Sequence, residues 1–139
     1  MTKRKYPLLP LLMTASIDPH GMKGACFTPE ERLKQYVETL KFYLATFQRH
    51  CPEMRIVFVE NTGYDLHLIE QVLSGIKGRE LLEFVSVPFG LGDISRGKGY
   101  NEALLINEAL SRSATLQESI GFFKVTGRYP ITNVLQFLL

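Results

Sequence analysis

Along the chain, short runs of consecutive apolar residues alternate with longer stretches in which apolar residues recur every three or four positions. The first kind, at 8–17, 55–60, 82–87 and 122–126, reads as buried strands, and the second as amphipathic helices. The run at 8–17 closes on Asp18-Pro19. Thr28-Pro29-Glu30-Glu31 then opens a helix. Thr28 can cap it, Pro29 suits the first helical position, and Glu31 completes a capping box. Leu33, Val37, Leu40, Leu44 and Phe47 share one face down to about His50, and Cys51-Pro52 stops the helix. Asp65 is the expected cap of a second helix, in which Leu68, Ile69, Val72 and Ile76 share a face and Gly75 and Gly78 mark a frayed end. A third helix is expected over 96–113, and Pro130 is a candidate start for a short last one. The order β-α-β-α-β-α-β with a short tail predicts an α/β fold. Its form is a three-layer α/β/α sandwich with a mainly parallel, Rossmann-like sheet, built as a single domain.

Right-handed crossovers place every helix N-terminus along one edge of such a sheet, and ligands bind beyond the carboxyl ends of its strands. Four segments meet that condition: 14–18, 60–65, 88–101 and 126–129. The unusual residues of the sequence fall in these segments.

Composition narrows the chemistry. With 45% apolar and 22% charged residues the chain is globular in character, and its net charge of +2 gives no general attraction to nucleic acid. Phosphate binding would have to come from a local cluster. Cys26 and Cys51 form no Cys-x-x-Cys pair and read as reduced thiols of a cytoplasmic protein. Lys3, Arg4 and Lys5 before an apolar run have the outline of a signal peptide, but Pro7 and Pro10 interrupt it and favour a buried strand. No stretch approaches the roughly 20 apolar residues of a spanning helix.

Arg96-Gly97-Lys98-Gly99 is the sharpest local signal. Two cations flank a glycine at a helix start, where free N–H groups and the dipole suit a pyrophosphate; a solvated basic turn is the other reading. No Walker A loop is present, because Gly99 follows Lys98 where Ser or Thr is required. Glu60, before Asn61-Thr62-Gly63, can accept from a ribose hydroxyl or a base N–H, or can stand exposed at a turn. Thr14, Ser16 and Asp18 either line a base pocket or satisfy a strand end. Lys124, inside a strand, either faces solvent or is held for a purpose. Arg128, beside Gly127, can clamp a phosphate or carboxylate with its planar fork. Tyr36, Tyr43 and Phe47 are assigned to the core or the helix surface. His20, His50 and His67 show no metal spacing, and Asp18 with His20 would make a two-ligand, poor site. There is no Gly-x-Ser-x-Gly elbow to support hydrolase chemistry.

The series TASIDP, VENTGYD, RGKGYNEA and FFKVTGRY resembles bacterial glycosyltransferases of the GT-A, family-2-like type that act in capsule and O-antigen biosynthesis. The resemblance spans about 8–133 and rests on the order and spacing of loose motifs. It implies a cytoplasmic enzyme, working at the inner face of the membrane, that moves a sugar from a nucleotide-diphosphate donor to a glycan or lipid-linked acceptor. Glu60 stands where that family reads VDDGSTD and becomes the counterpart of its base-binding carboxylate, with Thr14, Ser16, Asp18 and Asn61 beside it. Arg96, Lys98 and Asn101 match the segment beneath the donor diphosphate. Lys124 and Arg128 occupy the place of the family's Asp-x-Asp metal motif without supplying a carboxylate. That departure favours donor binding without a divalent metal, though it leaves one open, and no other cofactor is expected. Asp93 is the candidate catalytic base.

A complete GT-A enzyme carries further strands and helices for the acceptor. The chain therefore reads as a donor half, C-terminally truncated, and its apolar end at 136–139 is a candidate surface for pairing with a second copy. Two other classes compete: a non-catalytic, flavodoxin-like or receiver-like nucleotide-binding module, and a fragment that assembles with a partner. Asp18 lacks the acidic neighbour that receiver chemistry requires.

Overall fold

A computed structural model of the chain describes residues 8–21, 26–90 and 94–138. The elements follow in the order β1 (Leu11–Ala15), α1 (Pro29–His50), β2 (Ile56–Glu60), α2 (His67–Leu73), β3 (Leu82–Ser86), α3 (Lys98–Arg112), α4 (Ala114–Gln117), β4 (Phe123–Thr126) and α5 (Leu135–Leu138). The four strands form one parallel sheet in the order β3-β2-β1-β4. The direction of strand succession reverses at β1: β2 and β3 lie in turn on one side of it, and β4 lies on the other. That is the topological switch point of a Rossmann-like, three-layer fold, where a crevice opens beyond the strand ends.

Strand alternation divides the core. Leu11, Met13, Ile56, Phe58 and Val125 face α1, α2 and the C-terminal tail, in a cluster with Tyr36, Leu40, Phe47, Ile69, Leu73, Val134 and Leu138. Leu12, Val57, Val59 and Val85 face the other way, against Leu105 and Ala109 of α3 and Leu116 of α4. β1 and β2 are buried at every position, as strands covered on both faces must be.

Helix α1 forms as its sequence dictates. The Thr28 hydroxyl accepts from the Glu31 N–H at 3.2 Å, and the Glu31 carboxylate accepts from the Thr28 N–H at 3.3 Å. Helix α2 differs from expectation. Its buried residues are Ile69 and Leu73, whereas Leu68 and Val72 are exposed and Ile76 lies beyond the helix end. Asp65 still serves the start, accepting from the His67 N–H at 3.0 Å. Helix α4 was not foreseen: Ser113 caps it, accepting from the Leu116 N–H, while donating its own hydroxyl to Glu83 of β3. The tail turns back on the core through Val134 and Leu138, leaving Phe137 exposed. No helix among the described residues is long and apolar enough to cross a membrane.

Candidate functional site

An open crevice of about 320 Å³ lies at the carboxyl edge between β1 and β4, lined by Thr14, Ala15, Ser16, Tyr36, Lys98, Gly99, Glu102, Lys124 and Thr126. The register explains why these residues meet. Thr14 pairs with Thr126, so both strands end at one level. Thr14 and Lys124 lie on the α3 side of the sheet, and α3 begins beside them. Gly97 adopts φ 91°, a left-handed conformation that a side chain disfavours, and turns the chain into α3 at Lys98. A Cβ on Gly99 would meet nothing within 4 Å, so the first turn of α3 is open to the crevice.

Two cations and one carboxylate line the space. Lys124 Nζ stands 2.5 Å from Glu102 Oε1, and the Thr14 hydroxyl donates to the same oxygen at 2.8 Å. Glu102 was not singled out in the sequence. The available signal was its position four residues after Lys98, which places both on one face of α3. Tyr36 is expected in the core or on the helix surface; its ring is buried in the core, but its hydroxyl reaches the crevice wall and accepts from the Ser16 N–H at 2.9 Å. Burial pushes the Tyr36 phenol above its ordinary range, against the opposing effects of the Ser16 hydrogen bond and the Arg128 and Arg32 charges, so it stays protonated and neutral.

The remaining candidates fall around this crevice. The Ser16 hydroxyl donates to Asn61 Oδ1 at 2.6 Å, and Arg32 Nη1 donates to the Ser16 carbonyl at 2.9 Å. Asn101 donates from Nδ2 to the Gly97 carbonyl at 2.7 Å, bracing the start of α3. Arg96 is exposed, with its guanidinium 4.8 Å from the Tyr100 ring centroid, and is not part of the lining. Asp18 Oδ1 accepts from the His20 N–H at 2.9 Å, and its Oδ2 lies 3.7 Å from His20 Nδ1. Among the described residues no group of three or more His, Cys, Asp or Glu side chains could hold a metal. Asp93 lies outside the described residues.

Glu60 occupies a different position from the one expected of a nucleotide contact. It is fully buried, and both carboxylate oxygens are engaged by the chain itself. Oε2 accepts from the Ile17 N–H at 2.8 Å and the Thr62 hydroxyl at 2.5 Å; Oε1 accepts from the Thr62 N–H at 2.8 Å and the Tyr64 N–H at 3.3 Å. It latches the loop after β1 to the loop after β2 and thereby shapes one wall of the crevice.

Arg128 follows β4 at the far side of Tyr36. Its guanidinium lies 5.4 Å from the ring centroids of both Phe27 and Tyr129, and its carbonyl accepts from the Thr39 hydroxyl at 2.8 Å. Gly127 makes this approach possible. A Cβ there would stand 3.0 Å from Tyr36 Cε1 and 3.1 Å from the Thr14 carbonyl oxygen. Comparison of the chain with protein-family models, curated proteins and solved structures finds no match.

Proposed function

We propose that the chain binds a nucleotide-diphosphate sugar in the β1–β4 crevice, and that the enzyme it belongs to transfers the sugar to a surface-glycan or lipid-linked acceptor. The observation that supports this reading most directly is the convergence of Lys98, Lys124 and the open first turn of α3 on one crevice at the topological switch point. Backbone N–H groups of a helix start and two ammonium groups together form an anion-binding surface of diphosphate character.

In this reading Lys98 and the start of α3 hold the diphosphate, and Thr14, Ser16 and Thr126 offer hydroxyls to the ribose and sugar. Lys124 leaves Glu102 to neutralise the charge that grows on the departing diphosphate. Glu102, so released, is the carboxylate placed to take the proton from the attacking acceptor hydroxyl. Lys124 in β4 and Arg128 after it supply cations where a metal-dependent enzyme supplies carboxylates, and Glu102 alone does not make a site for Mg²⁺, which requires near-octahedral oxygen coordination. Arg96 is left as a peripheral cation, and Glu60 as the latch that sets the crevice wall.

A thermal-shift screen against nucleoside diphosphates and nucleotide sugars, with and without EDTA, tests the proposal. A ligand at 100 times its Kd stabilises the fold by about 2.7 kcal/mol. The expected result is stabilisation by a nucleotide sugar, unchanged by EDTA and lost in Lys98→Ala/Lys124→Ala. No shift with any of these ligands would overturn the donor assignment. Binding without transfer of labelled sugar to any acceptor would reduce the reading to a nucleotide-binding module.

A further inference from the structure

Buried polar atoms in folded proteins are almost always hydrogen-bonded, so the exceptions call for a physical reason. Among the described residues three buried side-chain polar atoms lack a partner: Arg32 Nε, Gln35 Oε1 and Arg128 Nη1. They are gathered in one place. Arg32, Gln35, Tyr36 and Thr39 follow the three- and four-residue spacing of a single face of α1, and Thr39 holds the Arg128 carbonyl. Both guanidinium charges act on the Tyr36 hydroxyl.

Among the described residues the ion pairs fall elsewhere, and no carboxylate stands within 4.0 Å of the Arg32 or Arg128 guanidinium. Arg128 lies over the rings of Phe27 and Tyr129, contacts that take up none of its N–H groups as hydrogen-bond donors to oxygen, and its Nη1 is left without a partner. Tyr129, one of the two rings against Arg128, is 56% exposed, and Arg128 itself is partly exposed. The cluster adjoins the crevice through Ser16 and Tyr36, since Arg32 holds the Ser16 carbonyl and both Ser16 and Tyr36 line the crevice.

We propose that Arg32, Gln35 and Arg128 form a second subsite, on the α1 side of the crevice, for the oxyanion of a hydroxylated substrate. Two guanidinium donors receive a carboxylate or phosphate group, and the Gln35 carbonyl accepts from a neighbouring hydroxyl. A sugar acid or a sugar phosphate has this combination of groups. The subsite's service to an acceptor rests on the transfer reading above; its oxyanion binding does not.

The test is a titration of the ¹⁵N-labelled full chain with D-glucuronate, with D-glucose 6-phosphate and with uncharged D-glucose, at constant ionic strength. The arginine Nε–Hε and glutamine side-chain amide resonances are followed. Saturable shifts of Arg32, Gln35 and Arg128 with one common Kd are expected, at least tenfold tighter for an anionic sugar than for glucose. A response to glucuronate alone or to the phosphate alone supports the subsite and identifies its oxyanion. Arg32→Lys and Arg128→Lys keep the charge but lose the fork, and each should weaken binding at least tenfold. The proposal is overturned if neither anion produces saturable shifts at these side chains, or if both lysine variants bind as the wild type does. Should a variant not fold, the wild-type titration decides alone. Nucleotide-sugar binding on the same samples keeps the two proposals apart: its loss with anionic-sugar binding intact removes the donor reading and leaves the subsite.

Discussion

Lys124 on β4 and Thr14 on β1 share a single carboxylate oxygen of Glu102 on α3, at 2.5 Å and 2.8 Å. One oxygen thus joins both strands of the switch point to the helix that closes it. Lys124 and Glu102 remain about one-third exposed, at 31% and 36%, so solvent screens the pair. Lys124→Met is therefore expected to change stability by less than about 1 kcal/mol. Its effect should appear in binding. Glu102→Gln frees the ammonium and is expected to raise nucleoside-diphosphate affinity severalfold while lowering sugar transfer, whereas Lys124→Met lowers both. Calorimetric titration of the two variants checks this; equal affinities in both would remove Lys124 from the anion site.

Glu60 gives the opposite balance, with a large structural effect and a small electrostatic one at the ligand. Its carboxylate is the acceptor for three backbone N–H groups and one hydroxyl, all at the carboxyl edge. Glu60→Ala would strip these donors of their acceptor inside the fold. A cost of about 3 kcal/mol or more is expected, read as a lowered urea midpoint. Glu60→Gln restores the shape but puts an N–H₂ against donors, and should cost about 1–3 kcal/mol. If Glu60→Gln kept full stability and lost only nucleotide binding, the latch assignment would be wrong and a direct ligand contact would replace it.

On α2 the prediction separates neighbours. Ile69 and Leu73 are fully buried, while Leu68 and Val72 are 44% and 53% exposed. Ile69→Ala and Leu73→Ala are each expected to destabilise by about 2–5 kcal/mol, and Leu68→Ala and Val72→Ala by less than about 0.5 kcal/mol. Denaturant unfolding of the four variants reads this directly. Comparable losses at Leu68 and Ile69 would mean that the expected face, and not the observed one, is the buried one.

What the sequence made legible follows from how local each cause is. Helix α1 was readable from Thr28 to His50 because its cap, its first-turn proline and its apolar face lie within the segment itself. Positions 68 and 72 satisfy the helical period as well as 69 and 73 do, so periodicity could not choose the buried pair of a seven-residue helix. Helix α4 escaped notice because Ser113 is fixed by Glu83, 30 positions away in the chain. The same distinction applies at the site. Thr14, Ser16 and Lys98 stood out by falling at a strand end and a glycine-rich turn, Lys124 stood out as a charge inside an apolar strand, and the fold brings them together. Glu102 and Tyr36 lie within helices, where a carboxylate reads as a solvated face and a tyrosine as core. The engagement of Glu60 was hidden because one of its partners, the Ile17 N–H, belongs to another strand's end.

Tyr36 links the core to the crevice, and its ionisation gives a test by pH. Burial raises its pKa above the ordinary value near 10 in spite of the Ser16 hydrogen bond and the two arginines, and burial raises Tyr43 in the same direction. The folded chain therefore holds these phenol protons more tightly than the unfolded chain does. Their contribution is fully present below about pH 10, and it is lost as pH rises through the unfolded value towards the raised folded one. Tyr36→Phe removes one of these phenols, together with the acceptor for the Ser16 N–H, and is expected to cost about 1 kcal/mol at neutral pH. Above about pH 10 the wild type should lose stability faster than Tyr36→Phe, so the gap between their urea midpoints narrows. A gap that stays constant across this range would mean that the Tyr36 phenol titrates alike in both states, and that its ring, not its hydroxyl, is what the fold holds beside Ser16.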